Sequence, residues 1–276
     1  MPTLADLGAR IFDPLFAMPF FTGLVFAVLL PLFGAYLRLR DEWLAALAFA
    51  QTAAAGALLA MLGGVPLLLG GIGAATAAAG LKTLFEGAAR GVQGAAYAML
   101  LVTGWGLSVL LVANLPLAER LGHALFDGQL YFVEREHLIA AWLALGVAGG
   151  LLLRLSRTLL LCHFFPDFFR ARGRSARRAH LVFDMLVAAV LAIATMSIGV
   201  MAAFAMIFVP PLIAWQWART WRGSLLLATL AGLLAYLVAF ALALAADQPF
   251  GPVLALTLVA AGVVSGSSQI QSGDRR

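Results

Sequence analysis

Charged side chains are scarce in this sequence. Of its 276 residues, 11% are Asp, Glu, Lys or Arg and 63% are hydrophobic, with a mean hydropathy of +0.99. Soluble domains contain about 25% charged and about 45–50% apolar residues, so this chain has too few polar side chains to cover a surface that faces water. The scarcity excludes an ordinary soluble enzyme and a disordered protein, and it leaves a polytopic membrane protein.

Cysteine and lysine are almost absent as well. The single cysteine, Cys162, cannot form a disulfide within the chain, and one thiol without neighbouring ligands does not indicate a metal site. Lys82 is the only lysine, and Lys and Arg together number 18 against 13 Asp and Glu, a net charge of +5. In a membrane protein such an excess reports loop topology, so we expect no nucleic-acid partner.

Long apolar runs are what the sequence has in abundance. A membrane helix needs about 20 apolar residues, and two pairs of runs are separated only by a short glycine-containing break. We therefore predict an all-α fold, a polytopic bundle of eight or nine transmembrane helices that forms a single domain over 1–276. The candidate spans are 17–37, 43–62, 64–81, 94–115, 138–157, 181–199, 201–218, 223–246 and 250–268.

Basic residues cluster after alternate spans. With nine spans, all five clusters fall on one side, which the bias of Lys and Arg toward cytoplasmic loops assigns to the cytoplasm. The prediction is a multi-pass plasma-membrane protein with an extracytoplasmic segment at 1–16 and a cytoplasmic tail at 269–276. The first 16 residues lack the pattern of a cleavable signal peptide. The clusters begin at Arg38, Lys82, Arg154, Arg219 and Arg275.

The longest predicted cytoplasmic segment is 158–180. A proline–aspartate pair is typical of a helix start, and the aromatic and basic residues after it predict a short amphipathic helix that a glycine could stop. Such a helix suits the docking of a soluble partner, and it equally suits binding to anionic membrane lipid. In order, these residues are Pro166, Asp167, Phe168, Phe169, Arg170 and Gly173.

Prolines and glycines lie inside several apolar spans. Pro210 and Pro211 each remove a backbone donor, which predicts a bent or broken helix, and a break at membrane depth is tolerated only inside protein or beside a cavity. The stretch 204–214 is therefore a candidate pathway. The repeated glycines of 52–80 favour close helix packing over a specific pore-lining role.

The order of short motifs resembles the permease subunits of zinc/manganese-type ABC importers, over roughly 18–268. Each motif alone is weak, and their order and spacing carry the resemblance. The last motif, Asp247-Gln-Pro249-Phe-Gly251-Pro252, is similar to the family's signature before its last helix. The others are Gly34 and Arg38, Leu125-Phe126, Pro166-Asp167 with Gly173, and Gly199 with Pro210.

This resemblance implies a type II-like importer permease, homodimeric, in the bacterial inner membrane with its C-terminus in the cytoplasm. A cytoplasmic ABC ATPase subunit would dock through 166–178 and hydrolyse ATP there, so this chain would be no enzyme and would bind no cofactor. An extracytoplasmic solute-binding protein would deliver a divalent metal ion, zinc or manganese. Alternating access would move the ion across the membrane.

The sequence departs from the family at the metal site. The family carries Gly-Asp-x-x-x-His at the start of its second core helix, a spacing that places carboxylate and imidazole on one helix face. Counted without gaps from Arg38, those positions are Ala45 and Phe49, which cannot ligate a divalent cation. The metal ligands of this chain stay unassigned.

Other polar residues are weaker candidates. The outer segment 116–137 contains a group that suits a cation-attracting vestibule or a docking surface, although a solvated loop is the favoured interpretation. Asp184 lies near the start of the sixth span, where ion pairing at the interface with Arg177, Arg178 or His180 is favoured over substrate binding. The outer group is His123, Asp127, Glu134, Glu136 and His137.

Three alternatives to a zinc or manganese permease stay open. A permease of the same architecture could move another substrate, such as a metal chelate, since the usual ligands are absent. A non-transporting assembly subunit could keep the fold without the site. A membrane-embedded enzyme would need paired catalytic groups at membrane depth, and no predicted span contains such a pair.

Overall fold

The computed structural model describes residues 14–85, 90–128, 130, 133–165, 167 and 177–273. Within those residues the chain forms ten α-helices and no strand, which confirms the predicted all-α bundle. The helices are α1 Pro14–Arg40, α2 Trp43–Leu62, α3 Leu67–Lys82, α4 Arg90–Asn114, α5 Pro116–Asp127, α6 Arg135–Phe164, α7 Arg177–Ile198, α8 Val200–Trp217, α9 Trp221–Ala246 and α10 Phe250–Gly273.

Nine of these helices coincide with the nine candidate spans. Seven of them, α1, α2, α4 and α6 to α9, are long and apolar enough to cross a membrane, whereas α3 and the apolar part of α10 are shorter. Several helices extend beyond the predicted bounds; the candidate span 138–157, for example, lies inside α6. A helix continues into polar residues at its ends, which a search for apolar runs leaves out.

The prediction of a loop over 116–137 is wrong for its first half, which forms α5. Pro116 occupies the first helical turn, where its missing N–H would have had no partner in any case. Ala118 and Leu125 are buried and pack in a hydrophobic cluster with residues of α2. With 12 residues, α5 is too short to span a bilayer.

Small residues bring the helices close together. Gly56 of α2 and Gly70 of α3 face each other, since a Cβ on either would lie 2.6 Å from the other's carbonyl oxygen. Gly104 of α4 packs in the same way on the backbone of Gln51 and Thr52. Gly73, by contrast, has open space where its Cβ would be. Close packing therefore explains some of the repeated glycines and not all of them.

Prolines inside two helices lie next to glycines of neighbouring helices. Pro211 gives no N–H to the carbonyl of Ile207 one turn earlier, and that oxygen lies against Gly34 of α1, where a Cβ would overlap it. In α1, Pro31 frees the carbonyl of Ala27 in the same way, and a Cβ on Gly232 of α9 would lie 2.9 Å from that oxygen. The freed carbonyls thus mark the tightest crossings of α1.

The bundle has two different ends. Cross-helix hydrogen bonds join the segments that carry basic residues: Tyr36 donates to Ser156 over 2.7 Å, and Arg177 donates to the carbonyl of Thr83 over 2.9 Å. We call this the arginine-rich end, defined by Arg38, Arg40, Lys82, Arg177 and Arg219. The other is the glycine end, defined by Gly128, Gly199 and Gly251.

Candidate functional site

Four charged side chains meet at the arginine-rich end. Arg40, the last residue of α1, donates to Asp184 of α7 over 2.9 Å and pairs with Glu42 over 2.7 Å. Lys82, the last residue of α3, donates to Glu42 over 2.8 Å and forms a short hydrogen bond with Asp184. We call these residues the charge cluster. Each cation contacts both anions, so the charges balance within the cluster.

The charge cluster is enclosed by protein. Asp184 is 0% exposed and Lys82 is 3% exposed, and the two cations also lie over aromatic rings. The guanidinium of Arg40 is 5.5 Å from the ring centre of Phe183, and the ammonium of Lys82 is 5.6 Å from that of Tyr97. Burying an unpaired charge is strongly unfavourable. These residues therefore hold the ends of α1, α3 and α7 and the start of α2 in one arrangement.

The predicted ion pairing of Asp184 is confirmed. Its ion-pair partners include Arg40 and Lys82 of two other helices, which the prediction did not name, and Arg177 donates to the carbonyl of Thr83. In the sequence, Lys82 and the cluster that begins at Arg38 indicate only topology, and Glu42 has no predicted structural role. One feature of the sequence could have indicated this ion pairing. Lys82 is the only lysine and directly follows an apolar run, so it needs a nearby anion if it is buried.

Backbone contacts replace charged contacts at the glycine end. Gly199 is the only residue between α7 and α8, with φ of +88°, and Gly128 ends α5 with φ of +70°. A Cβ on Gly199 would lie 2.6 Å from the Cα of Gly128. Gly251, in the first turn of α10, donates its N–H to the carbonyl of Gly128 over 3.2 Å. Three chain segments thus meet here without intervening side chains.

This contact gives a physical role to two predicted motif residues. Gly199 and Gly251 were proposed from motif order, and the structure brings both to Gly128. Asp247 ends α9 in the left-handed conformation, with φ of +52°, and Pro249 follows in the exposed turn before α10. Pro252 is exposed within the first turn of α10. The motif therefore forms the α9–α10 turn and seats its glycine in the backbone contact.

The predicted helix break lies at one residue only. Gly199 separates α7 from α8, as expected, but α8 runs without a break through Pro210 and Pro211, so of the predicted bend or break the break does not occur there. Both prolines are buried, and the carbonyl freed by Pro211 packs on Gly34 of α1.

The positions that the family uses for metal are apolar in this fold. Ala45 and Phe49 of α2 are fully buried in the main hydrophobic core. Two residues after Phe49, Gln51 is buried, and its side-chain oxygen has no hydrogen-bond partner among the described residues. Within the described ranges, no group of three or more His, Cys, Asp or Glu residues could hold a metal ion.

The remaining candidates divide between described and undescribed parts of the chain. Glu134 and Glu136 are exposed at the start of α6 and His137 is half-buried; the side chains of His123 and Asp127 fall outside the described residues. Of the predicted segment 158–180, residues 158–164 belong to α6 and 177–180 to α7, and Asp167 is exposed. The other loop candidates lie outside the described residues: Pro166, Phe168, Phe169, Arg170 and Gly173.

Two solved structures share this fold. PsaBC from Streptococcus pneumoniae, solved in complex with Fab, is 19% identical, with a TM-score of 0.84 and coverage of 95% of each chain. A metal-chelate type ABC transporter in an inward-facing conformation is 18% identical, with a TM-score of 0.78; the match covers 97% of this chain and 91% of that one. At such identities the likeness shows the fold alone. No curated protein matches the sequence.

The family match is broader than any single motif. The model of the ABC 3 transport family matches residues 13–268, from the start of α1 into α10. That range includes both ends of the bundle, and with them the charge cluster and the three glycines. The chain therefore belongs to the ABC 3 transport family, as a multi-pass permease of an ABC transporter.

Proposed function

We propose that this chain is the permease subunit of an ABC importer that moves a divalent metal ion, zinc or manganese, across the inner membrane. The observation that carries the proposal is the family match over residues 13–268 together with the shared fold. The chain would work as a homodimer with its C-terminus in the cytoplasm. A separate ATPase subunit would hydrolyse ATP, and an extracytoplasmic binding protein would deliver the ion.

Coupling to the ATPase would use the segment between α6 and α7. Asp167 is exposed there, and the basic and aromatic residues that follow supply charge and apolar surface for a docked subunit. The segment joins α6 to α7, and Asp184 of α7 belongs to the charge cluster. A movement of the docked subunit would therefore reach the ends of α1 and α3 through side-chain contacts.

Copurification of the complex tests the coupling role. The double variant Asp167→Ala with Arg170→Glu should lose at least about tenfold in ATPase subunit retained on the permease, since a charged docking contact is worth about 1.5–3 kcal/mol. The control is Glu136→Gln, an exposed carboxylate at the glycine end, which should retain the subunit. Equal retention by all three proteins, or no ATPase bound to the unaltered chain, contradicts the proposal.

A second substrate class is favoured by one observation. A bare divalent cation needs oxygen, nitrogen or sulfur ligands, whereas Ala45 and Phe49 are buried and apolar. A metal chelate brings its own ligands and needs only a cavity of matching shape. The similarity to a metal-chelate type transporter is compatible with this alternative.

Transport in proteoliposomes separates the two substrates. The permease, its ATPase and its binding protein are reconstituted, and ATP-dependent uptake of free zinc, free manganese and metal–chelator complexes is measured. A non-hydrolysable ATP analogue serves as the control. Uptake of a free ion supports the first proposal, and uptake of a complex alone supports the second. Uptake of neither, by an assembled complex that hydrolyses ATP, overturns both and favours a non-transporting subunit.

A further inference from the structure

A cleft opens at the arginine-rich end, away from the charge cluster. It lies where α8 ends and α9 begins, beside the last residue of α6, and its volume is about 250 Å³. Trp215 and Trp221 form two of its walls, with ring centres 6.4 Å apart and the rings nearly perpendicular. Arg219, Thr220 and Ser224 add polar groups to its lining, and Phe164 lies on one side.

Two polar groups of this cleft are buried and have no hydrogen-bond partner in the part of the chain that the structure describes. They are the hydroxyl of Ser224, a residue only 4% exposed, and the indole N–H of Trp221. A buried polar group left unpaired costs about 1–3 kcal/mol, and tryptophan can only donate. An occupant that accepts hydrogen bonds would relieve both at once.

The charge of the cleft is positive. The Arg219 side chain is part of the wall, and the described lining contains no acidic residue. Arg38 is not part of the lining, but its guanidinium carbon is 5.7 Å from the ring centre of Trp215, so a second positive charge lies next to one wall. The Nε of Arg38 has no hydrogen-bond partner among the described residues. Donors and cations without a carboxylate select an anion, and a phosphate group offers several acceptor oxygens to such a set.

The position of the cleft indicates where that anion comes from. Tryptophan side chains concentrate at the membrane–water interface, and Trp215 and Phe164 are both exposed beside the opening. Anionic phospholipids place a phosphate at the same depth, attached to acyl chains that such apolar side chains would contact. A soluble phosphate would gain nothing from these aromatic walls.

We propose that this cleft binds the phosphodiester head group of an anionic phospholipid. The indole N–H of Trp221 and the hydroxyl of Ser224 donate to its oxygens, and Arg219 pairs with its charge. The acyl chains leave past Trp215 and Phe164. This lipid site is independent of the transported substrate, and its test does not require transport.

Native mass spectrometry of the purified chain tests the site. The protein is prepared in detergent with phosphatidylglycerol, cardiolipin or phosphatidylcholine, and bound lipid is counted. Arg219→Gln and Trp221→Phe should each weaken phosphatidylglycerol retention about tenfold, the worth of a hydrogen bond to a charged group. The matched control is Arg154→Gln, which removes an exposed charge of α6 outside the cleft and should change retention less than twofold.

Ser224→Ala separates lipid binding from folding. Without lipid, removal of an unpaired buried hydroxyl should leave the thermal midpoint unchanged or raise it, while phosphatidylglycerol retention falls about threefold to tenfold. If Arg154→Gln and Arg219→Gln lost phosphatidylglycerol retention equally, the lipid would be held by the general surface charge and not by the cleft, which would overturn the proposal. Equal retention of phosphatidylcholine, or displacement of the lipid by millimolar inorganic phosphate, would overturn it as well.

Discussion

The two ends of this bundle are held together by different physical means. At the arginine-rich end, four charged side chains from α1, α3, α7 and the α1–α2 turn make contacts of 2.9 Å or less. At the glycine end, the chain segments around Gly128, Gly199 and Gly251 touch through their backbones. Long side chains can break a contact and form it again as helices move, whereas a backbone contact is lost as soon as the segments separate.

The difference also determines what each end tolerates. An enclosed group of balanced charges contributes little net stability, because desolvation offsets attraction, but removal of one member leaves a buried charge without compensation. At a contact between backbones there is no room for the Cβ of a larger residue. One end is therefore sensitive to charge and the other to volume.

The largest expected effect is at the charge cluster. Asp184→Leu leaves Arg40 and Lys82 with Glu42 as the shared anion, and we expect a loss of about 3–5 kcal/mol in unfolding free energy. Thermal unfolding in detergent, followed by circular dichroism, measures it. The double variant Asp184→Leu with Lys82→Met removes one charge of each sign and should cost less than the single change. A cost equal to the sum of the two single changes would refute the coupling.

A smaller effect is expected at the glycine end. Gly199→Ala puts a Cβ against Gly128 and forces alanine into a left-handed conformation, which costs about 1–3 kcal/mol. The control is Gly146→Ala in α6, which has open space for a Cβ and should be neutral or gain about 0.5–1 kcal/mol. The same thermal unfolding assay compares them. Equal midpoints would show that backbone proximity does not define this end.

The smallest effect is local to one helix start. The hydroxyl of Thr220 accepts from the N–H of Gly223 over 3.1 Å and caps α9, so Thr220→Ala should cost about 1 kcal/mol. Thr229→Ala is the matched control, because that hydroxyl donates within its own helix to the carbonyl of Leu225 and caps nothing. Thermal midpoints should separate them. A Thr220→Ala cost as large as that of Asp184→Leu would mean that helix capping, and not the charge cluster, dominates the arginine-rich end.

The helices could be predicted from the sequence because apolar runs of the required length are a local signal. Basic residues were predicted to cluster at one end, and the contacts of Tyr36 and Arg177 confirm this for the clusters that begin at Arg38, Lys82 and Arg154. Arg275 and Arg276 lie outside the described residues. A local property also explains why the sequence did not predict helix α5. Its apolar residues occupy one face only, so its mean hydropathy resembles that of a loop.

The site could be predicted only in outline. The pairing of Asp184 with Arg40 and Lys82 joins residues 144 and 102 positions apart, a relation that no local pattern contains. The contact of the Ile207 carbonyl with Gly34 likewise joins two helices that are far apart in the sequence. Motif order did identify Gly199 and Gly251, but not that both contact Gly128, because contact between segments is a property of the folded chain.

The enclosure of Lys82 has a practical consequence. It carries the one side-chain primary amine of the protein, and it is surrounded by carboxylates and the ring of Tyr97. Reagents that acylate amines must reach the amine nitrogen, and the burial of Lys82 blocks that access. Acylation of Lys82 therefore requires that the ends of α1, α3 and α7 come apart, so a mass shift on one tryptic peptide would record how often that opening occurs.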